Sequence, residues 1–181
     1  TITFGTDYVA GTNVSSTAFN INNGEDVYAD GSSFTLTVSS TNGGGNFENL
    51  VTTDTALVTV DNTVDTTTLT LNNVTVNEGT GTASITGSLD HTPQTALTVT
   101  LNNGATLVFG TSYVPGDLVT SSAFNINNGE DVYTDGSSFT LSVTGTSGGN
   151  FENLVTTDTA TVTVSDTVDT TTMTLNNVTV N

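Results

Sequence analysis

The side chains of this chain best placed to do chemistry are carboxylates. Glu130, Asp131 and Asp135 gather in the run Gly129 to Asp135 (GEDVYTD), and Glu25, Asp26 and Asp30 gather in the same way in Gly24 to Asp30. Asp61 with Asp65, and Asp166 with Asp169, lie in Thr-rich stretches that read as joints between domains, while Glu78 follows a first strand in Val76-Asn77-Glu78-Gly79. Carboxylates one and four positions apart in a loop can converge on one ion, because Ca²⁺ collects roughly six to eight oxygens from Asp, Glu, backbone carbonyls and water. The spacing is not that of an EF-hand. An acidic loop can also be a merely solvated surface, but here no basic side chain is present to offset its charge.

The chain has no Lys or Arg, against 18 Asp plus Glu and one His, for a formal charge of −18. An ordinary chain of this length carries roughly twenty basic residues. Without them the segment lacks the groups that meet nucleic acid phosphates or anionic lipid head groups, so neither nucleic acid nor direct membrane binding is expected. Trypsin-like proteases find no site in it. Cysteine is absent, which removes disulfides and thiol chemistry. No apolar run approaches the roughly 18 residues of a membrane-spanning helix, and no signal peptide opens the chain; any export signal or anchor is expected elsewhere.

Catalysis is not expected. Paired carboxylates hydrolyse glycosides, but these pairs recur in loops with no sign of a cleft. The Ser residues have no base beside them in a nucleophile arrangement, and His91 stands alone in a turn, Leu89-Asp90-His91-Thr92-Pro93. The sequons at Asn13, Asn73 and Asn177 arise easily in a chain so rich in Asn and Thr.

The elements that must hold the carboxylates follow from an internal repeat. Phe19 to Tyr28 (FNINNGEDVY) returns unchanged at Phe124 to Tyr133, an offset of 105, and Leu71 to Asn77 returns at Leu175 to Asn181, an offset of 104. One residue is lost from the Gly43-Gly44-Gly45 turn. A period near 104 is too long for a solenoid and fits one β-sandwich per repeat. The expected organisation is residues 1–64 as the C-terminal part of one repeat, 65–168 as a complete repeat, and 169–181 as the first strand of the next. Within the complete repeat, seven strands are predicted at Thr68 to Val76, Thr82 to Leu89, Ala96 to Leu101, Ala105 to Phe109, Ala123 to Ile126, Ser138 to Thr144 and Thr159 to Val164. Apolar residues alternate with Thr and Ser, as in Leu97, Val99, Leu101 and Ala160, Val162, Val164, which marks strands with one buried face. Thr suits the outer face because it is β-branched and soluble without charge. Turns are expected at Asn102-Asn103-Gly104, Asn127-Asn128-Gly129 and Gly148-Gly149-Asn150, whose residues tolerate positive φ. The fold class is therefore all-β, as tandem immunoglobulin-like antiparallel sandwiches. Phe109, Tyr113, Phe124, Phe139 and Phe151 are predicted to lie in the core, and Tyr133 with them.

The joint Asp65-Thr66-Thr67-Thr68, repeated at Asp169 to Thr172, the Glu-Asp-Val-Tyr run and the Gly-Asn-Phe-Glu-Asn-Leu run resemble the long repeats of giant bacterial adhesins secreted by type I systems. That group includes biofilm-associated adhesins and the extender region of a calcium-dependent ice-binding adhesin. Glu78-Gly79 and Gly5-Thr6-Asp7-Tyr8 more loosely resemble the Calx-β module, although Ser112 stands in the second copy where Asp7 stands in the first. Both resemblances imply calcium-binding sandwiches, with Glu130, Asp131, Asp135 and the joint aspartates as ligands. They imply an extracellular, cell-surface stalk stiffened by calcium, with neighbouring repeats as partners and other copies as partners in a fibre. The alternative is a self-assembling subunit of a filament, sheath or S-layer, or a glycan-binding module.

Overall fold

Alternating Thr and aliphatic residues form strands because β-branched side chains fit a pleated surface and a period of two puts every second residue on one face. The computed structural model describes residues 1–45 and 47–181, and among them it contains thirteen strands and no helix. The chain divides into two units, one of Thr1–Asp26 with Asp30–Thr63 and one of Val27–Ala29 with Val64–Asn181.

The first unit holds one antiparallel pair, β1 (Ser32–Thr37) with β2 (Thr55–Val60), in which Phe34 lies opposite Val58. None of its described residues is fully buried. The second unit holds the rest: β3 (Thr66–Asn72), β4 (Val74–Asn77), β5 (Thr82–Ala83), β6 (Thr86–Leu89), β7 (Leu97–Leu101), β8 (Thr106–Phe109), β9 (Val119–Thr120), β10 (Phe124–Asn125), β11 (Ser137–Ser147), β12 (Asn153–Val155) and β13 (Thr159–Ser165). These make a five-stranded sheet in the order β4-β13-β11-β7-β8, a four-stranded sheet in the order β12-β3-β6-β9, and the small pair β10-β5. Between the two larger sheets lies one core. Leu97, Val99, Leu101, Leu107, Phe109, Leu141, Ala160, Val162 and Val164 come from the first, and Leu69, Leu71 and Leu89 from the second. The Tyr113 hydroxyl ties the core to a turn, accepting from the Leu89 N–H at 2.8 Å and lying 2.8 Å from the Asp117 carbonyl.

The all-β sandwich agrees with the sequence, but the strands differ in detail. The segment expected as one strand from Thr68 to Val76 breaks at Asn73, and its halves enter different sheets. The Asn73 side-chain oxygen accepts the Thr161 N–H at 2.7 Å, fixing the crossing and setting β4 parallel to β13. Thr82 to Leu89 likewise splits into β5 and β6. Two strands, β9 and β12, carry no alternation long enough to read, and β12 runs parallel to β3. At the third expected turn, Gly148, Gly149 and Asn150 all have positive φ, and a Cβ on Gly148 would lie 2.0 Å from the Ala96 carbonyl oxygen, so only glycine fits there. Phe109, Tyr113 and Phe124 are buried, and Phe139 and Phe151 pack on the core. Tyr133 is the exception, 73% exposed because its loop leaves the sheet after β10.

Candidate metal centre

The parallel pairing of β4 with β13 places Val76 beside Val164 and Asn77 beside Ser165, so both strands end at one edge. The next residue of each is acidic, Glu78 and Asp166, and the Glu78 N–H donates to the Ser165 carbonyl at 2.9 Å. The loop between β10 and β11 closes over this edge. Asn127 turns it at φ 54, the Gly79 N–H reaches the Asn128 carbonyl at 3.3 Å, and the Asp135 N–H donates to Asp166 Oδ1 at 3.2 Å. As a result, one carboxylate oxygen each from Glu78, Asp135 and Asp166 lies within 4.8 Å of the others. Ligand oxygens at about 2.3–2.6 Å from a common Ca²⁺ are at most about twice that distance apart, so the three fit one coordination sphere. The donors are all hard oxygens, which favours Ca²⁺ or Mg²⁺ over softer transition metals.

Glu78 is only 3% exposed. Its Oε1 accepts from the Thr167 N–H at 2.7 Å and lies 2.8 Å from the Thr167 hydroxyl, which is also within reach of Glu130 Oε1. Its Oε2 is buried without a donor. The Thr167 N–H, then the Thr167 hydroxyl and then a hydrogen bond with Asp135 hold the Glu78 carboxyl below its ordinary range, against the opposing effect of burial. Asp135 moves the other way. Although exposed at its outer side, its carboxyl is raised by a hydrogen bond with Glu78, then by partial desolvation, and by the charges of Glu78, Asp131 and Asp166. Loss of the Asp135 proton is thus opposed by the carboxylates around it, and a divalent cation bound among them would favour that loss. Gly79, at φ 72, permits the close approach, since a Cβ there would lie 2.9 Å from the Glu130 Cβ.

The structure thus brings together Glu78, Asp135 and Asp166, with Glu130 at the margin. It places Asp131 differently: its Oδ1 accepts the Tyr133 N–H at 2.7 Å and forms a local turn. The Asp65 N–H binds Glu152 Oε2, and neither Asp65 nor Asp169 belongs to the triad. In the first unit, Glu25, Asp26, Asp30 and Asp61 join no such cluster among the described residues. There Asp30 matches Asp135, but Asn62 stands at the position of Asp166, and residues 1–63 include no match for Glu78. His91 pairs with Asp90 at 3.0 Å, apart from this site. Sequence reasoning missed Thr167, the anchor of Glu78; a threonine among so many gives no signal until the parallel pairing is known.

A family model described as the LapA domain matches residues 1–63 and 65–167. No curated protein gives a significant match.

Proposed function

The chain belongs to the LapA domain family, whose namesake is a large adhesin of biofilm formation, and from that premise we propose that it is a non-catalytic spacer of a bacterial cell-surface adhesin, built of tandem immunoglobulin-like sandwiches and stiffened by calcium. Family membership supports a place on the outside of a bacterium. The near-identity of the two copies supports a repeated mechanical part, since a unique pocket would require residues present once. The observation that carries the calcium reading is the buried Glu78 Oε2, which has no donor and stands in a triad of carboxylates within 4.8 Å. A buried carboxylate is costly unless it is paired or bound to a cation, and the chain supplies no Lys or Arg to pair with it.

Bound there, the ion would join the end of β4, the exit of β13 and the loop before β11. It would thereby stiffen the point where the chain leaves the sandwich. Calorimetric titration with calcium tests this reading. Binding that is abolished by Glu78→Gln is the expected result; a chain that binds no calcium, or a Glu78→Gln variant that binds as well as the parent, would sink it.

A further inference from the structure

The second unit includes three residues from far upstream, Val27–Ala29. The Ala29 N–H donates to the Asn150 carbonyl at 3.4 Å, the Glu152 N–H donates to the Val27 carbonyl at 3.1 Å, and Tyr28 bridges to Phe151 in antiparallel sense. The two rings stack with centroids 6.0 Å apart and planes 22° from parallel. The Tyr28 hydroxyl donates to the Thr92 carbonyl at 2.6 Å. Ring, hydroxyl and main chain are all engaged.

Tyr28 lies in the run FNINNGEDVY, and its match in the second copy is Tyr133. Tyr133 is 73% exposed, and its neighbour Val132 is exposed as well. Phe151 lies in NFENL, and its match in the first copy, Phe47, is 69% exposed. Each copy therefore carries a tyrosine strip and a phenylalanine turn of the same sequence. One such pair is joined, while one strip and one turn stand open.

We propose that Val132-Tyr133-Thr134 is a docking strip for the following copy of the same domain, where Tyr133 takes the position on that copy's phenylalanine turn that Tyr28 takes on Phe151. Its partner is thus a second copy of this sequence. Recognition rests on ring stacking, one hydroxyl bond and two main-chain bonds, so it would persist in high salt and in the absence of divalent cations.

The chain has four tyrosines and neither cysteine nor tryptophan, so nitration located by mass spectrometry reads each ring, Tyr28 and Tyr133 being told apart on peptides that extend to Ala29 or Thr134. In the present chain Tyr133 is expected to react about tenfold faster than Tyr28, the ratio a stacked and hydrogen-bonded ring of this kind sustains. Phe151→Ala brings Tyr28 to the rate of Tyr133, and Phe151→Leu, which preserves packing, does so without lowering the melting temperature as far. In a chain continued after Asn181 by a repetition of residues 78–168, Tyr133 falls to the rate of Tyr28, and Ala in place of the appended phenylalanine restores it. The same pattern is expected in calcium and in chelator, so failure here is distinguishable from failure of the calcium reading. A Tyr133 equally reactive in the short and the continued chain overturns the proposal, as does a Tyr28 that reacts as fast as Tyr133 in the present chain.

Discussion

At the scale of single residues, Glu78 and Asp135 are opposed. Glu78 is held below its ordinary range by the Thr167 N–H, and Asp135 is raised first by its hydrogen bond with Glu78. A lowered carboxyl contributes stability above its unfolded pKa and loses it as pH falls through the folded value; a raised one contributes below its unfolded pKa and loses it as pH rises through the folded value. In chelator this pair therefore contributes most between the lowered Glu78 value and the raised Asp135 value, and the melting temperature is expected to decline as pH rises through the latter. Asp135→Asn removes that decline, and calcium reverses it. Calcium affinity weakens as pH falls through the raised Asp135 value, because the Asp135 proton must leave first. Melting curves against pH, with and without chelator, check each of these signs. Gly79 is a second lever. At φ 72 and with Glu130 so close, Gly79→Ala is expected to cost about 1–3 kcal/mol and to weaken calcium binding, as denaturant unfolding and titration would measure.

At the scale of elements, the two copies act as a control on one another. Leu36 and Leu141 occupy the same position of matching strands, yet Leu36 is 40% exposed in β1 and Leu141 is 1% exposed in β11. The reason is partnership. β11 lies between β13 and β7, whereas β1 pairs with β2 alone. Leu141→Ala is thus expected to cost about 2–5 kcal/mol, and Leu36→Ala about 0.5 kcal/mol or less, by denaturant unfolding of each variant. The same contrast marks what a sequence can carry. Alternation revealed the strands that bury one face, such as β7 and β13, and turn residues revealed the bends at Gly104 and Gly148. The crossing at Asn73 was not legible, because it depends on one side-chain bond to Thr161, far away in sequence. That crossing makes β4 parallel to β13, and the parallel pairing is what joins Glu78 to Asp166. The acidic residue types of the site are therefore readable, but its membership is not: Asp131 and Asp169 have spacings as suitable as Asp135 and Asp166, and the fold leaves both outside the triad. Tyr133 has the strand spacing of a core aromatic, and only the loop that leaves the sheet after β10 accounts for its exposure.

At the scale of the whole molecule, a formal charge of −18 with no Lys or Arg makes the folded chain repel itself, and a bound divalent cation relieves the repulsion where it is most concentrated. A ligand that binds only the folded state must raise its stability, by about 2.7 kcal/mol at a hundredfold excess over its Kd. For a chain of this size that corresponds to a rise of roughly 5–10 °C. The most direct test of calcium stiffening is the thermal melt of this chain at neutral pH in calcium and in excess chelator, with Glu78→Gln alongside. Calcium is expected to raise the transition of the second unit by that amount in the parent and to leave the variant unchanged. A parent that melts at the same temperature in calcium and in chelator would contradict it.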